Sequence, residues 1–142
     1  MKARLLLLGI LLLAFALRLY NVEGQSIWGD EAFSIYTAQQ SVGNVLSSGA
    51  DLHPPLYHLL LHFWLLLTGR TALAVRFLSL GWSLLSVAAG YALARTLTAE
   101  EPALLSATFL VAISPFQIFY AQEARMYAQA AALCALALRL RG

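Results

Sequence analysis

The sequence predicts an all-α protein, a polytopic transmembrane helical bundle whose outer loop carries juxtamembrane helices. Of its 142 residues, 61% are hydrophobic and only 11% are charged, and the mean hydropathy is +0.73. These values are far from those of an average soluble domain. A small soluble helical bundle is disfavoured because a chain this short buries only roughly two thirds of its unfolded surface. The net charge of +2 is small and its basic residues are scattered, which argues against a nucleic-acid partner.

The first element is an apolar run from Leu5 to Leu17 that follows Lys2 and Arg4. Its length is that of a short spanning helix, and the basic residues before it predict a cytoplasmic N-terminus. The sequence Ala14-Phe15-Ala16 would also fit a signal-peptide cleavage site. We favour an uncleaved anchor, because further apolar segments follow it.

Residues 21–53 are expected to form the first extracytoplasmic loop, since Lys and Arg are absent from it. Asp30 is placed to cap a helix that runs to about Gln40. The sequence at 41–44 breaks that helix, and a shorter turn of helix is expected from Val45 to Gly49. The loop also contains four of the protein's seven acidic residues: Glu23, Asp30, Glu31 and Asp51.

The rest of the chain alternates apolar segments with short breaks. Two prolines start a helix that is too short to span a membrane comfortably, and three longer stretches follow. The predicted segments are Leu56 to Leu67, Leu73 to Leu97, Ala103 to Ile113 with a continuation from Phe116 to Tyr120, and Met126 to Leu140.

Two topologies remain open for these segments. If each crosses once, Glu123 and Arg125 lie on the side opposite Asp30, and Arg139 and Arg141 end outside. If the short second helix is re-entrant or forms a hairpin with its successor, Glu123 and Arg125 return to the side of Asp30. We favour the second arrangement because it brings these charged groups together on the same side of the membrane as Asp30.

Asp30 and Glu31 are adjacent, so on a helix their side chains point about 100° apart and cannot do identical work. One could act as a general base while the other contacts a metal or orients its neighbour. The alternative is that both acids simply favour a helix N-terminus.

Asp51 and His53 precede two prolines that hold them at the start of the second helix, and they could bind a cation or a phosphate. The alternative is a helix cap with a solvated histidine. His58 and His62 share one face of that helix. A metal site there is disfavoured, because no HExxH pattern and no acidic ligand on that face accompany them.

The segment Gln122-Glu123-Ala124-Arg125-Met126-Tyr127 places an acid and a base among apolar stretches. Ionisable groups at membrane depth are candidates for function, and Arg125 could bind a lipid phosphate. The alternative is an interfacial loop with an internal ion pair. Glycine-rich nucleotide loops are absent, so a nucleotide-borne donor is not supported, whereas a lipid-borne one would need no such loop.

These motifs occur in an order that resembles the N-terminal part of the GT-C membrane glycosyltransferases of the protein-mannosyltransferase and lipopolysaccharide-core type, glycosyltransferase family 39. The resemblance covers nearly the whole chain. It rests on Trp28-Gly29-Asp30-Glu31-Ala32 with Ser34, Asp51-Leu52-His53-Pro54-Pro55-Leu56-Tyr57, Arg76 with Ser79, Ser114-Pro115, and Tyr120 to Tyr127.

The resemblance implies transfer of a hexose from a polyprenyl-phosphate donor to a protein, lipid or glycan acceptor at the outer face, with inversion. It makes Asp30 the expected base, with Glu31 completing the acidic pair. The expected binding residues for donor phosphate or substrate are Asp51, His53, Glu123, Arg125 and Tyr127.

The resemblance leaves a divalent metal ion open as a cofactor, with Asp30, Glu31, Asp51 and His53 as its candidate ligands. It also implies a multi-pass protein in contact with membrane lipids, in a bacterial inner membrane and serving the cell envelope.

Family members are several times longer, so residues 1–142 are expected to be one membrane domain, the N-terminal portion of a longer enzyme, whose activity alone is doubtful. Two other hypotheses remain. The chain could be an inactive truncated remnant, or a non-enzymatic protein such as a transporter fragment. A transporter should carry its acids at mid-membrane on broken helices, whereas Asp30 and Asp51 lie outside the apolar runs.

Overall fold

A computed structural model describes residues 2–47 and 54–141, and all the regular structure in them is helical, as predicted. The helices are α1 (Lys2–Leu19), α2 (Gly29–Ala38), α3 (Val42–Ser47), α4 (Leu56–Thr68), α5 (Ala72–Leu97), α6 (Glu101–Ala112), α7 (Pro115–Ala121) and α8 (Tyr127–Arg141).

Several helix ends follow from local residue chemistry. Asn21 adopts a left-handed φ of 57° just after α1, a conformation that asparagine tolerates better than most residues. The Thr71 hydroxyl caps α5 by accepting a hydrogen bond from the Ala74 N–H at 3.2 Å. Pro115 separates α6 from α7, and the two helices meet at a 50° bend.

Two predicted details of the outer loop are wrong. Trp28, not Asp30, is the N-cap of α2, and Asp30 lies inside the first turn, where its carboxylate reaches an arginine instead of the helix end. The next helix begins at Val42 instead of Val45, because the Ser41 hydroxyl accepts the Asn44 N–H at 3.3 Å and caps it. Its predicted end at Gly49 lies outside the described residues.

Helix α5 is the centre of the bundle and packs against α1, α4, α6, α7 and α8. Helix α4 runs back along the beginning of α5. Its Tyr57 hydroxyl is 2.7 Å from Ser79 Oγ, and its Trp64 indole N–H donates to the Ala74 carbonyl at 2.8 Å. The two helices therefore form a hairpin, one of the forms that the favoured topology allowed.

Polar side chains join the helices inside this apolar bundle. The buried Arg18 of α1 donates to Ser83 Oγ of α5 at 2.8 Å and to the Ala112 carbonyl of α6 at 2.9 Å. The side-chain amide of Gln122 also contacts the end of α1, where it donates to the carbonyls of Arg18 and Tyr20 at 3.1 and 2.7 Å. Such hydrogen bonds hold helices together in addition to apolar packing.

By length and composition, α5 qualifies among the described helices as a membrane span. The bent pair α6 and α7 would make a second span if it is counted as one, and α4 is apolar but shorter. Large apolar side chains are exposed along α1, α4 and α8, among them Leu5, Leu8, Leu66, Leu67 and Leu140.

Gly69 offers a test of the α4–α5 turn, since its φ of 83° and ψ of −163° are essentially restricted to glycine. We expect Gly69→Ala to lower the free energy of unfolding by about 1–3 kcal/mol. Gly81, inside α5, has open space around it, so Gly81→Ala should be neutral or raise stability by up to about 1 kcal/mol. Denaturant unfolding in detergent measures both, and equal effects would refute the turn geometry.

Candidate active site

The outer loop is tied to the helical bundle by Arg76, in the first turns of α5. Its Nε donates to Glu31 Oε1 at 2.8 Å and its Nη2 donates to Oε2 at 2.6 Å, which makes a two-pronged ion pair. Both side chains are almost completely buried. A planar guanidinium matches a carboxylate in this way, and lysine could not replace it.

The same guanidinium also binds the backbone of the loop. Its Nη1 donates to the carbonyls of Val22 at 2.6 Å and Gln25 at 3.0 Å, and its Nη2 donates to that of Ser26 at 3.3 Å. Arg76 therefore fixes the start of the loop and the first turn of α2 together.

Glu31 reaches a third part of the chain, because its Oε1 also accepts the Ala124 N–H at 2.9 Å. Burial by itself would raise the pKa of Glu31, but the hydrogen bonds and charge of Arg76 and the Ala124 N–H outweigh it. The pKa of Glu31 therefore lies below its ordinary value. An ionised carboxylate with these contacts positions the loop and has little freedom to exchange protons with a substrate.

Asp30 faces the other way. Its side chain is 52% exposed, and its Oδ2 lies 2.9 Å from Nη1 of Arg125. Arg125 itself is buried, donates from Nη2 to the Tyr127 hydroxyl at 3.3 Å, and lies 5.4 Å from the centre of that ring. The contact places Arg125 on the side of Asp30, as the favoured topology expected.

A cavity of about 680 Å³ opens beside Asp30. Aromatic side chains form much of its wall, and the carboxyl groups of Asp30 and Glu123 are its acidic groups. Burial, followed by the negative charge of Glu31, raises the pKa of Glu123 above its ordinary value, although Arg125 opposes this. The lining residues are Gly24, Gln25, Ser26, Trp28, Asp30, Phe119, Tyr120, Glu123 and Tyr127.

Residues 52–140 match the model of a protein family described as dolichyl-phosphate-mannose-protein mannosyltransferase. The chain belongs to this family. Its members are glycosyltransferases that use polyprenyl-phosphate-linked sugar donors, which agrees with the resemblance found in the sequence. No curated protein and no solved structure matches the chain significantly.

The family match includes Arg76, Glu123, Arg125 and Tyr127 but begins after Glu31. The structure joins the two parts, since Arg76 binds Glu31 and Arg125 binds Asp30. Five of the predicted site residues are thus gathered at one end of this mannosyltransferase-family bundle: Asp30, Glu31, Glu123, Arg125 and Tyr127. Asp51 and His53 lie outside the described residues.

The described histidines do not form a metal site. His62 Nδ1 is 2.7 Å from the Ala38 carbonyl, and the buried His58 packs edge-on against Phe33 and Tyr57. Within residues 2–47 and 54–141, no three His, Cys, Asp or Glu side chains are grouped so as to hold a metal ion. Of the four candidate ligands, Asp30 and Glu31 are each paired with an arginine, and Asp51 and His53 lie outside the described residues, so a metal at this site stays a prediction.

Arg76 is part of the family motif in the sequence, but no role was predicted for it. The sequence did indicate a role, because Arg76 is an ionisable group within a 26-residue apolar helix. Burying such a group costs free energy, so its presence marks a candidate functional residue. The aromatic walls at Phe119 and Tyr120 were also missed as site residues, since only the folded chain brings α7 beside Trp28.

The different burial of the two ion pairs predicts different effects on stability. We expect Arg76→Gln to lower the free energy of unfolding by about 3–5 kcal/mol, because it leaves Glu31 buried and uncompensated. Asp30→Asn changes only the half-exposed partner of its pair and keeps an amide oxygen that can accept from Arg125, so it should cost less, about 1 kcal/mol. The double variant Glu31→Gln/Arg76→Gln should recover part of the loss. Denaturant unfolding in detergent would contradict this if Arg76→Gln and Asp30→Asn behaved alike.

Proposed function

We propose that the cavity beside Asp30 is the active site of an inverting glycosyltransferase, which moves a hexose from a polyprenyl-phosphate donor to an acceptor hydroxyl. The observation that carries this proposal is the ion pair between Asp30, which lines the cavity, and the buried Arg125. In this pair, a carboxylate that can accept a proton lies next to a guanidinium that can bind a phosphate.

In the proposed reaction, Asp30 accepts the proton of the acceptor hydroxyl. Its Oδ2 contacts Arg125, and Oδ1 of the half-exposed side chain is the oxygen proposed to take this proton. The acceptor oxygen forms a bond to the anomeric carbon, and the bond from that carbon to the phosphate oxygen breaks. The electron pair leaves with the polyprenyl phosphate, and attack from the opposite face inverts the anomeric centre.

Arg125 is proposed to stabilise the negative charge of the leaving phosphate. It is a buried guanidinium held by the Tyr127 hydroxyl, so little reorganisation is needed when charge develops beside it. Aromatic residues from two parts of the chain, Trp28 and Tyr120, line the same cavity and offer flat apolar surfaces to the donor sugar.

We further propose that α1, α5, the bent pair α6–α7 and α8 cross the membrane, while the α4 hairpin stays near the Asp30 end. Helices α1 and α5 are about 27 and 39 Å long at 1.5 Å per residue, close to or above the hydrocarbon thickness. Large apolar side chains on the outside of the bundle support this proposal.

The outer face is the proposed side for the Asp30 end. Residues 21–47 carry no Lys or Arg, whereas Arg4, Arg95 and Arg139 line pockets at the far end of the bundle. The exposed Arg70 lies at the Asp30 end, but exposed basic residues are in excess at the far end, as the positive-inside rule expects.

Substituting the two carboxyl groups of the cavity one at a time tests which of them is the catalytic base. We expect Asp30→Asn to reduce sugar transfer by about 10²–10⁴-fold, since general-base catalysis contributes roughly that factor, while membrane insertion remains intact. Glu123→Gln, which alters the same cavity, should lose less. The measurement is transfer from a panel of purified polyprenyl-phosphate sugars by membranes that contain the protein, with and without a chelator.

Undiminished transfer by Asp30→Asn would overturn the assignment of the base. Complete loss in Glu123→Gln with activity retained in Asp30→Asn would move the base to Glu123. Loss of transfer with chelator in the unaltered protein would show that a metal takes part.

A further inference from the structure

A second group of charged residues lies at the opposite end of the bundle from Asp30. A pocket of about 350 Å³ is lined by Arg4 of α1 and by Tyr91 and Arg95 of α5. A neighbouring pocket of about 260 Å³ shares Tyr91 and Arg95 and adds Arg139 of α8. Three arginines from three helices therefore surround one tyrosine.

This convergence follows from the directions of the helices, because α1 runs antiparallel to α5 whereas α8 runs parallel to it. Arg76 and Arg95 are 19 positions apart on α5, which corresponds to about 28 Å along its axis. That is close to the thickness of a bilayer's hydrocarbon core. The arginine group consequently lies one membrane thickness from the Asp30 cavity and belongs to the other surface.

The group has spare positive charge. In the described part of the chain, the ion pairs within 4.0 Å are those of Arg76 and Arg125, and none involves these three arginines. Glu101 also lines the first pocket, so one acid faces two of the arginines. The neighbouring pocket holds Arg95 and Arg139 with no acidic residue in its wall.

The wall of the first pocket also has apolar residues close to its arginines. Leu7 and Leu104 line the first pocket, and Leu5 and Leu8, close to Arg4 in the sequence of α1, are exposed. A ligand that fits both features has an anionic phosphate head and hydrocarbon chains that continue along the helices.

We propose that Arg4, Arg95 and Arg139, with the Tyr91 hydroxyl, bind the phosphate of an anionic phospholipid at the surface opposite the Asp30 cavity. Guanidinium groups bind phosphate oxygens in a two-pronged geometry, and basic residues at the cytoplasmic surface attract anionic lipids. The proposal requires the chain to lie in a membrane, but it does not depend on the reaction proposed for Asp30.

The test is lipid binding to the delipidated protein in a nonionic detergent, measured by native mass spectrometry. Phosphatidylglycerol, phosphatidylcholine with the same acyl chains, and inorganic phosphate are titrated separately. We expect phosphatidylglycerol to bind at least about fivefold more tightly than phosphatidylcholine, since each basic residue near a membrane surface contributes roughly this factor.

Arg95→Gln and Arg139→Gln should each weaken phosphatidylglycerol binding by about fivefold. Arg70→Gln is the matched control. It removes the same charge from an exposed arginine in the α4–α5 turn, at the other end of the bundle, and should leave binding unchanged. Arg70, Arg95 and Arg139 are all exposed, so each substitution should leave the fold intact, and a thermal midpoint measured without lipid verifies this.

Equal binding of the two phospholipids would overturn the proposal, as would an equal loss in Arg70→Gln. Tight binding of inorganic phosphate that displaces phosphatidylglycerol would also overturn it, because the ligand would then be a free phosphate. Sugar transfer enters none of these measurements, so failure here is distinct from failure of the proposed activity.

Discussion

The buried ion pair between Glu31 and Arg76 is the interaction on which the arrangement of the site depends. It joins α2 to α5, and its two partners also bind the carbonyls of Val22, Gln25 and Ser26 and the N–H of Ala124. Neither charge could stay in an apolar bundle without the other. Because Glu31 is held inside, its neighbour Asp30 must face outward, about 100° around the helix, toward Arg125 and the cavity. The adjacent acids thus do different work.

A set of weaker polar links keeps the helices in register. Ser79, Ser83 and Ser86 follow one face of α5 and are all buried. They contact, in turn, the Tyr57 hydroxyl, the Arg18 guanidinium and the Gln117 side chain. Each link fixes how far one helix is displaced along another, so the acidic cavity and the arginine group are kept at opposite ends. A bundle of apolar residues alone would specify this register less well, since Leu side chains pack comparably in several positions.

Local patterns in the sequence were sufficient to predict the helices from α4 to α8 within a few residues, because apolar runs broken by Gly and Pro leave little choice. The resemblance to a known family assigned Asp30 and Arg125 to the same site but did not show that the two side chains make contact. Local patterns failed where a tertiary contact decided the outcome. Asp30 was expected to cap α2, but Arg125 engages its carboxylate, and no pattern along the chain shows that residues 95 positions apart will meet. Arg76 and Arg18 were likewise given no partners, since their contacts exist only after the helices pack.

Amide hydrogen exchange in detergent tests most directly whether the Glu31–Arg76 pair holds the outer loop. In Arg76→Gln, we predict that the amides of residues 22–38 exchange at least about tenfold faster than in the unaltered protein, because the segment loses its buried attachment. Residues 127–141 of α8 should keep their protection and serve as the internal reference, and Arg70→Gln should match the unaltered protein throughout. Unchanged protection of residues 22–38 in Arg76→Gln would contradict the account.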